Sequence, residues 1–200
     1  MTEQPYQVWL FRHGATEWSE TGQHTGRTDI PLTAPGKSRA KAIGRRLKGR
    51  PFSLVLSSPL IRAVETCRLA GYGEDVQLTD DLMEWDYGDY EGRRTVDIQK
   101  ERPGWLLWTD GVPNGETVDQ VGKRADKVLD WAASVDGDVA LFSHGHMLRV
   151  LSARWLGQPP GDGQLFALGT AAVCVLGFEH DYHVIRRWNE SSHLVEVKDA

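Results

Sequence analysis

The feature that most constrains this chain is a set of three short apolar runs, each of which ends in cations or hydroxyls. Gln7–Phe11 leads into Arg12 and His13, Ser53–Leu56 into Ser57, Ser58 and then Arg62, and Asp138–Phe142 into Ser143 and His144. Runs this short and this apolar read as strands buried on both faces, which is the habit of a parallel sheet covered by helices. The segments between them carry helical signals. Thr33 caps a helix with Pro35 in its first turn, running to about Leu47. Ser58 caps a second, with Pro59 at the first helical position, running through Ala70 to a stop at Gly71. Val118, Val121, Ala125, Val128, Leu129 and Ala132 recur at helical spacing over 117–134. Ser143 caps a last helix, about 145–156.

This alternation predicts an α/β fold: three layers, α/β/α, around a mostly parallel central sheet. Val76–Leu78 reads as a short strand, and Ala171–Phe178 with Tyr182–Trp188 as a closing hairpin at a sheet edge. Arg12–Pro31 reads as a polar loop. The stretch from Arg93 to Glu116, broken by Pro103, Gly104, Gly111, Pro113 and Gly115, reads as an irregular excursion with one helix. It is expected to form a small cap, about 85–116, over a cleft in a single domain of 200 residues.

A net charge of -5 disfavours a nucleic-acid or anionic-membrane partner, which wants a basic surface. No stretch approaches the ~20 apolar residues of a membrane span. Met1–Pro5 does not open an export signal. Cys67 and Cys174 are too few for a stapled secreted scaffold and sit among apolar neighbours, so a reduced cytoplasm is expected.

Ligands of such sheets bind beyond the carboxyl ends of the strands. Arg12, His13, Arg62 and His144 converge there if the three strands are neighbours. Two guanidinium groups and two imidazoles make a cationic pocket in an acidic protein, suited to a phosphoryl group, and helices opening at Ser58 and Ser143 would add backbone N–H groups. An imidazole can take the phosphoryl group as a nucleophile. A carboxyl from the segment 82–91, set against Trp85 and Tyr87, would serve as proton donor. His144 with His146, or His180 with His183, offers a weaker metal reading. A phosphate-cradling Gly-x-x-x-x-Gly-Lys-Ser/Thr loop is absent from the sequence.

Leu10–Trp18, with Arg12-His13-Gly14 at its centre, resembles the signature of the histidine phosphatase superfamily, which includes the phosphoglycerate mutases. Thr25–Thr33, Ser57–Thr66, Pro113–Thr117 and Ser143–His146 follow in the family's order. Trp18–Gly26, Glu84–Gly92 and Trp108–Gly111 resemble a narrower group, the fungal sedoheptulose-1,7-bisphosphatases and bacterial acid phosphatase relatives. Ser19 stands where many mutases carry Asn, and the long insertion of the fungal enzymes near Gly161 is missing.

The resemblance implies a metal-independent, cofactor-free phosphatase of small phosphorylated metabolites. His13 would become phosphorylated, Arg12, Arg62 and His144 would hold the phosphoryl oxygens, and Glu84 would act as general acid and base. His24, Thr25, Trp85, Asp86, Tyr87, Arg149 and His180 would line the substrate pocket. His146 reads as structural. The resemblance leaves a homodimer open. Two other functions stay open as well: a cofactor-dependent phosphoglycerate mutase, and a phospho-ligand-binding module that kept the fold and lost turnover.

Overall fold

Alternate residues of the central strands point to opposite faces of one sheet, and each face has its own apolar layer. In the computed structural model, which describes residues 6–195, six strands form that sheet in the order β3-β2-β4-β1-β5-β6. They are β1 (Val8–Arg12), β2 (Leu54–Ser57), β3 (Gln77–Leu78), β4 (Val139–Ser143), β5 (Val173–Glu179) and β6 (Tyr182–Glu190). The first four run parallel, while β5 and β6 form an antiparallel hairpin at the edge. The fold is therefore the expected α/β sandwich. Met1–Pro5, on which the expectation about an export signal rests, lies outside the described residues.

Leu10, Leu56, Leu141 and Leu176 face one layer, formed with helices α6 (Val118–Ala133) and α7 (Gly145–Trp155). Phe11, Val55, Phe142 and Val175 face the other, formed with α2 (Ala34–Leu47) and α3 (Ile61–Leu69). Each buried Leu or Phe stabilises the sandwich by about 1.5–3 kcal/mol in transfer free energy.

β2, β4 and β1 are neighbours, as the sequence requires for the cations to meet. Arg12 pairs with Ser143, and Ser57 with Phe142, so three strand ends lie side by side.

Four local expectations are corrected. The loop 12–31 contains a short helix, α1 (Glu17–Thr21), closed by reciprocal bonds between Thr16 and Ser19 and by Gly22 in the left-handed region (φ 77°). The excursion holds two short helices and not one, α4 (Thr95–Glu101) and α5 (Leu107–Asp110). Helix α3 starts at Ile61, beyond Ser58 and Pro59, because Asp29 accepts the Ile61 N–H at 2.7 Å and supplies the cap from across the chain. Ser143 ends β4 and gives its hydroxyl to the Leu82 carbonyl (2.7 Å), so it does not cap α7.

Candidate active site

A cleft of about 190 Å³ opens at the carboxyl ends of the parallel strands. Arg12, His13, His24, Thr25, Glu84, Tyr87 and Arg149 line it, all expected from the sequence. Ser19, Gly22, Gln23, Gly145, His146 and Leu168 line it as well. Gln23 arrives because α1 turns the chain back, and its side chain then donates to the Gly92 carbonyl at 2.8 Å.

His13 leaves β1 with its backbone held on both sides: its N–H donates to Ser143 and its carbonyl accepts from Ala171, each at 3.0 Å. The ring is nearly buried, at 5% exposure, and Nδ1 lies 2.7 Å from the Gly14 carbonyl. A carbonyl can only accept, so the proton sits on Nδ1 and Nε2 keeps its lone pair. Burial, with Arg62 and Arg12 adding, holds His13 well below the ordinary imidazole value. The neutral ring is the form a nucleophile needs.

Arg12 gives Nη1 to the Leu168 carbonyl, while its buried Nε has no partner among the described residues. Burial lowers its pKa from the usual guanidinium range, with Glu84 and Tyr87 opposing. Gly145 makes room for it. A Cβ there would lie 3.3 Å from the guanidinium carbon and Nε.

Arg62 and His144 are both wholly buried and stand behind the residues that line the cleft. Arg62 spends its donors on structure. Nε donates to His144 Nδ1 (3.1 Å), Nη1 to Thr28 (2.9 Å), and Nη2 to the Thr25 and Gly26 carbonyls (3.1 and 2.8 Å). One Nη1 hydrogen remains. Because Arg62 can only donate, the neutral His144 carries its proton on Nε2, which meets Ser58 Oγ at 2.8 Å. The His144 ring stands 5.2 Å from that of His13, and its pKa is lowered first by burial and then by Arg62.

The carboxylate of Glu84 occupies the start of α7. Oε2 accepts the His146 N–H (3.0 Å), and Oε1 accepts those of Met147 and Trp85 (both 2.9 Å). The helix N-terminus expected to bind the ligand is thus used to hold an acid. Oε1 thereby uses both of its lone pairs, while Oε2 keeps its second for other contacts.

Of the expected pocket residues, Trp85, Asp86 and Arg149 have more specific positions and His180 is displaced. Trp85 is fully buried beneath the site, with its indole N–H on the Glu116 carbonyl (2.8 Å). Asp86 turns away and accepts from the Gly88 N–H at 3.0 Å. Neither lines the cleft. His180 sits in the β5–β6 turn, and the antiparallel register, with Phe11 opposite Val173 and Val8 opposite Leu176, puts that turn at the far end of the sheet. Arg149, one turn along α7, lies over the Trp108 ring at 4.7 Å and donates to Gly163 and Gln164. His146 pairs with the Tyr87 hydroxyl at 2.6 Å, as a structural histidine can, and it also lines the cleft. Among the described residues no three His, Cys, Asp or Glu side chains gather as a metal site would require, and no helix is long and apolar enough to cross a membrane.

A buried neutral imidazole flanked by guanidinium groups, beside a carboxyl on a helix start, is the equipment of an enzyme that breaks phosphoric monoesters. Residues 8–191 match the model of the histidine phosphatase superfamily (branch 1), and the chain belongs to that family. An acid phosphatase of Mycobacterium tuberculosis is 41% identical over 179 residues, covering 88% of each chain. The sedoheptulose 1,7-bisphosphatase of Saccharomyces cerevisiae is 35% identical, over 74% of this chain and 66% of that protein. A solved structure of an open reading frame product from Mycobacterium tuberculosis superposes with a TM-score of 0.88 at 38% identity, over 93% of this chain and 98% of that one. The chain is a phosphoric monoester hydrolase of this superfamily.

Proposed function

We propose that this chain hydrolyses the phosphomonoesters of small metabolites, a sugar phosphate or bisphosphate first among them, by way of a phosphohistidine at His13. The observation that carries the reading is the His13 ring, whose Nδ1 is tied to Gly14 while Nε2 is left as a lone pair in a cationic cleft. Nε2 attacks phosphorus, the P–N bond forms and the P–O bond to the leaving group breaks. The leaving oxygen takes a proton from the Glu84 carboxyl. A water then attacks phosphorus from the same side, gives its proton back to Glu84 and releases phosphate and free His13.

Arg12 meets the phosphoryl oxygens with its uncommitted donors. Arg62 offers its one free N–H from below, and His144 adds to the donor field through Ser58. Serine, threonine, glutamine and neutral imidazole groups on the cleft wall suit a hydroxyl-bearing leaving group, and Arg149 suits a second anionic group at its far end. The names of the two curated relatives point the same way. Burial pushes both Cys67 and Cys174 up to about 12, so neither is a reactive thiolate. Both are free thiols, which supports the cytoplasm as the compartment we propose.

The test is release of free phosphate across a panel of sugar bisphosphates, sugar monophosphates, 3-phosphoglycerate and p-nitrophenyl phosphate. A sugar bisphosphate leading in kcat/KM supports the substrate class. Phosphate moved to another hydroxyl of phosphoglycerate, rather than into solution, would replace the reading with a mutase.

A further inference from the structure

Glu84 sits on a segment with no strand or α-helix of its own, following one turn of 3₁₀ helix at Asp80–Leu82. A carboxyl that must reach a leaving oxygen and then a water tolerates little displacement. Two side chains outside the cleft hold this segment residue by residue. Arg124 of α6 donates from Nη1 to the Asp81 and Met83 carbonyls at 3.0 and 2.7 Å, and from Nη2 to the Glu84 carbonyl at 3.3 Å. The same guanidinium forms a two-pronged pair with Glu116, Nε to Oε1 and Nη2 to Oε2, each at 2.8 Å.

Glu116 then grips the far side of Glu84. Its Oε2 accepts the Asp86 N–H (2.9 Å), its carbonyl accepts the Trp85 indole N–H (2.8 Å), and its own N–H donates to the Asp86 carbonyl (3.0 Å). With Ser143 on the Leu82 carbonyl, every residue from Asp81 to Asp86 is tied down.

Only 12% of the Arg124 side chain and 16% of the Glu116 side chain is exposed. A pair this buried loses much of its attraction to desolvation, so stability alone is a weak reason for it. A lysine could not reproduce it, since an ammonium cannot form the fork and reach three carbonyls together.

We propose that Arg124 and Glu116 are positioning residues for Glu84, acting as a clamp that sets where its carboxyl delivers and collects the proton. The inference rests on the proton-donor reading of Glu84, and the experiment separates the two. Single-turnover phosphorylation is followed in wild type, Glu84→Gln, Arg124→Lys and Glu116→Gln with two substrates. Glycerol 3-phosphate has an alkoxide leaving group that needs a proton, whereas 2,4-dinitrophenyl phosphate has one that does not. Burst amplitude with the dinitrophenyl ester counts competent sites, so rates are per folded enzyme, and Glu116→Gln keeps the shape of the clamp if Arg124→Lys folds poorly.

The expected result is a loss of about 10²-fold or more for Glu84→Gln on glycerol 3-phosphate, with little loss on the dinitrophenyl ester. The clamp variants should show the same split, about tenfold or more against less than about threefold. If Glu84→Gln shows the split and the clamp variants lose both rates equally, or neither, the clamp is overturned and the donor stands. If Glu84→Gln itself slows both substrates alike, the donor reading falls and takes the clamp with it.

Discussion

At the scale of single residues, the site turns on which nitrogen carries a proton. His13 has its tautomer set by a carbonyl and His144 by a guanidinium, and neither partner can act in the opposite sense. His13→Ala should keep the fold and lower turnover by roughly 10⁴-fold or more. Labelled substrate, quenched early, should leave acid-labile, base-stable phosphate on the wild type and none on the variant; undiminished hydrolysis would remove His13 from the reaction. Turnover should also survive prolonged EDTA treatment, and a loss restored only by zinc would assign His144 or His146 to a metal. Arg12 and His13 were legible because they stand at the carboxyl end of a strand, where position alone predicts a role. For His146 the first turn of a helix allowed a packed or hydrogen-bonded structural role but did not name the partner. Its meeting with Tyr87 depends on a loop 59 residues away.

At the scale of elements, strands and long helices were legible because periodicity is a local property, and caps were not where the capping group is remote. Helix α3 takes its cap from Asp29, 32 residues upstream, while Ser58 Oγ accepts the Leu60 N–H at 3.3 Å and meets His144. Helix α7 has its first N–H groups filled by Glu84, from 62 and 63 residues away. Helix α1 has five residues and none buried, so no apolar stripe announced it. Close packing is similarly hidden. The first turn of α2 lies directly on the segment that follows His13: a Cβ on Gly36 would overlap the Ala15 carbonyl oxygen, and one on Gly14 would overlap that of Gly36. The obstructing atoms are backbone, so they cannot swing aside. Gly36→Ala should therefore destabilise the protein by about 1–3 kcal/mol and shift the loop that carries His13. Urea melts with parallel kinetics check this: a lower midpoint together with reduced turnover per folded molecule is expected, and an unchanged midpoint would mean that helix and loop are free to separate.

At the scale of the whole molecule, an acidic chain gathers cations at one end of its sheet and holds the neighbouring histidines neutral. The strand order was legible only as a condition for the cations to meet, because pairing partners lie more than 80 residues apart in sequence. The arrangement has a consequence for acid stability. His13, His144 and His146 are held well below the ordinary value of 6.5, mainly by burial, and burial lowers His24 to about 4. Between those folded values and 6.5 the unfolded chain binds more protons than the folded one, so stability rises with pH in that window and falls as the solution is acidified through it. His24 alone should cost about 2 kcal/mol at pH 5 relative to neutrality. Two carboxylates are lowered against the opposing effect of burial, Glu116 by Arg124 and Glu190 by Arg187, Ser192 and Arg46, and they add their own loss only on further acidification, through the carboxylate range. Thermal melts at pH 5, 6, 7 and 8 should show the melting temperature dropping by several degrees between pH 7 and 5 and flattening above 7. His24→Gln should lessen that drop. A melting temperature constant from pH 7 to 5 would mean that the folded chain takes up as many protons as the unfolded one, so that burial does not hold these imidazoles neutral on acidification.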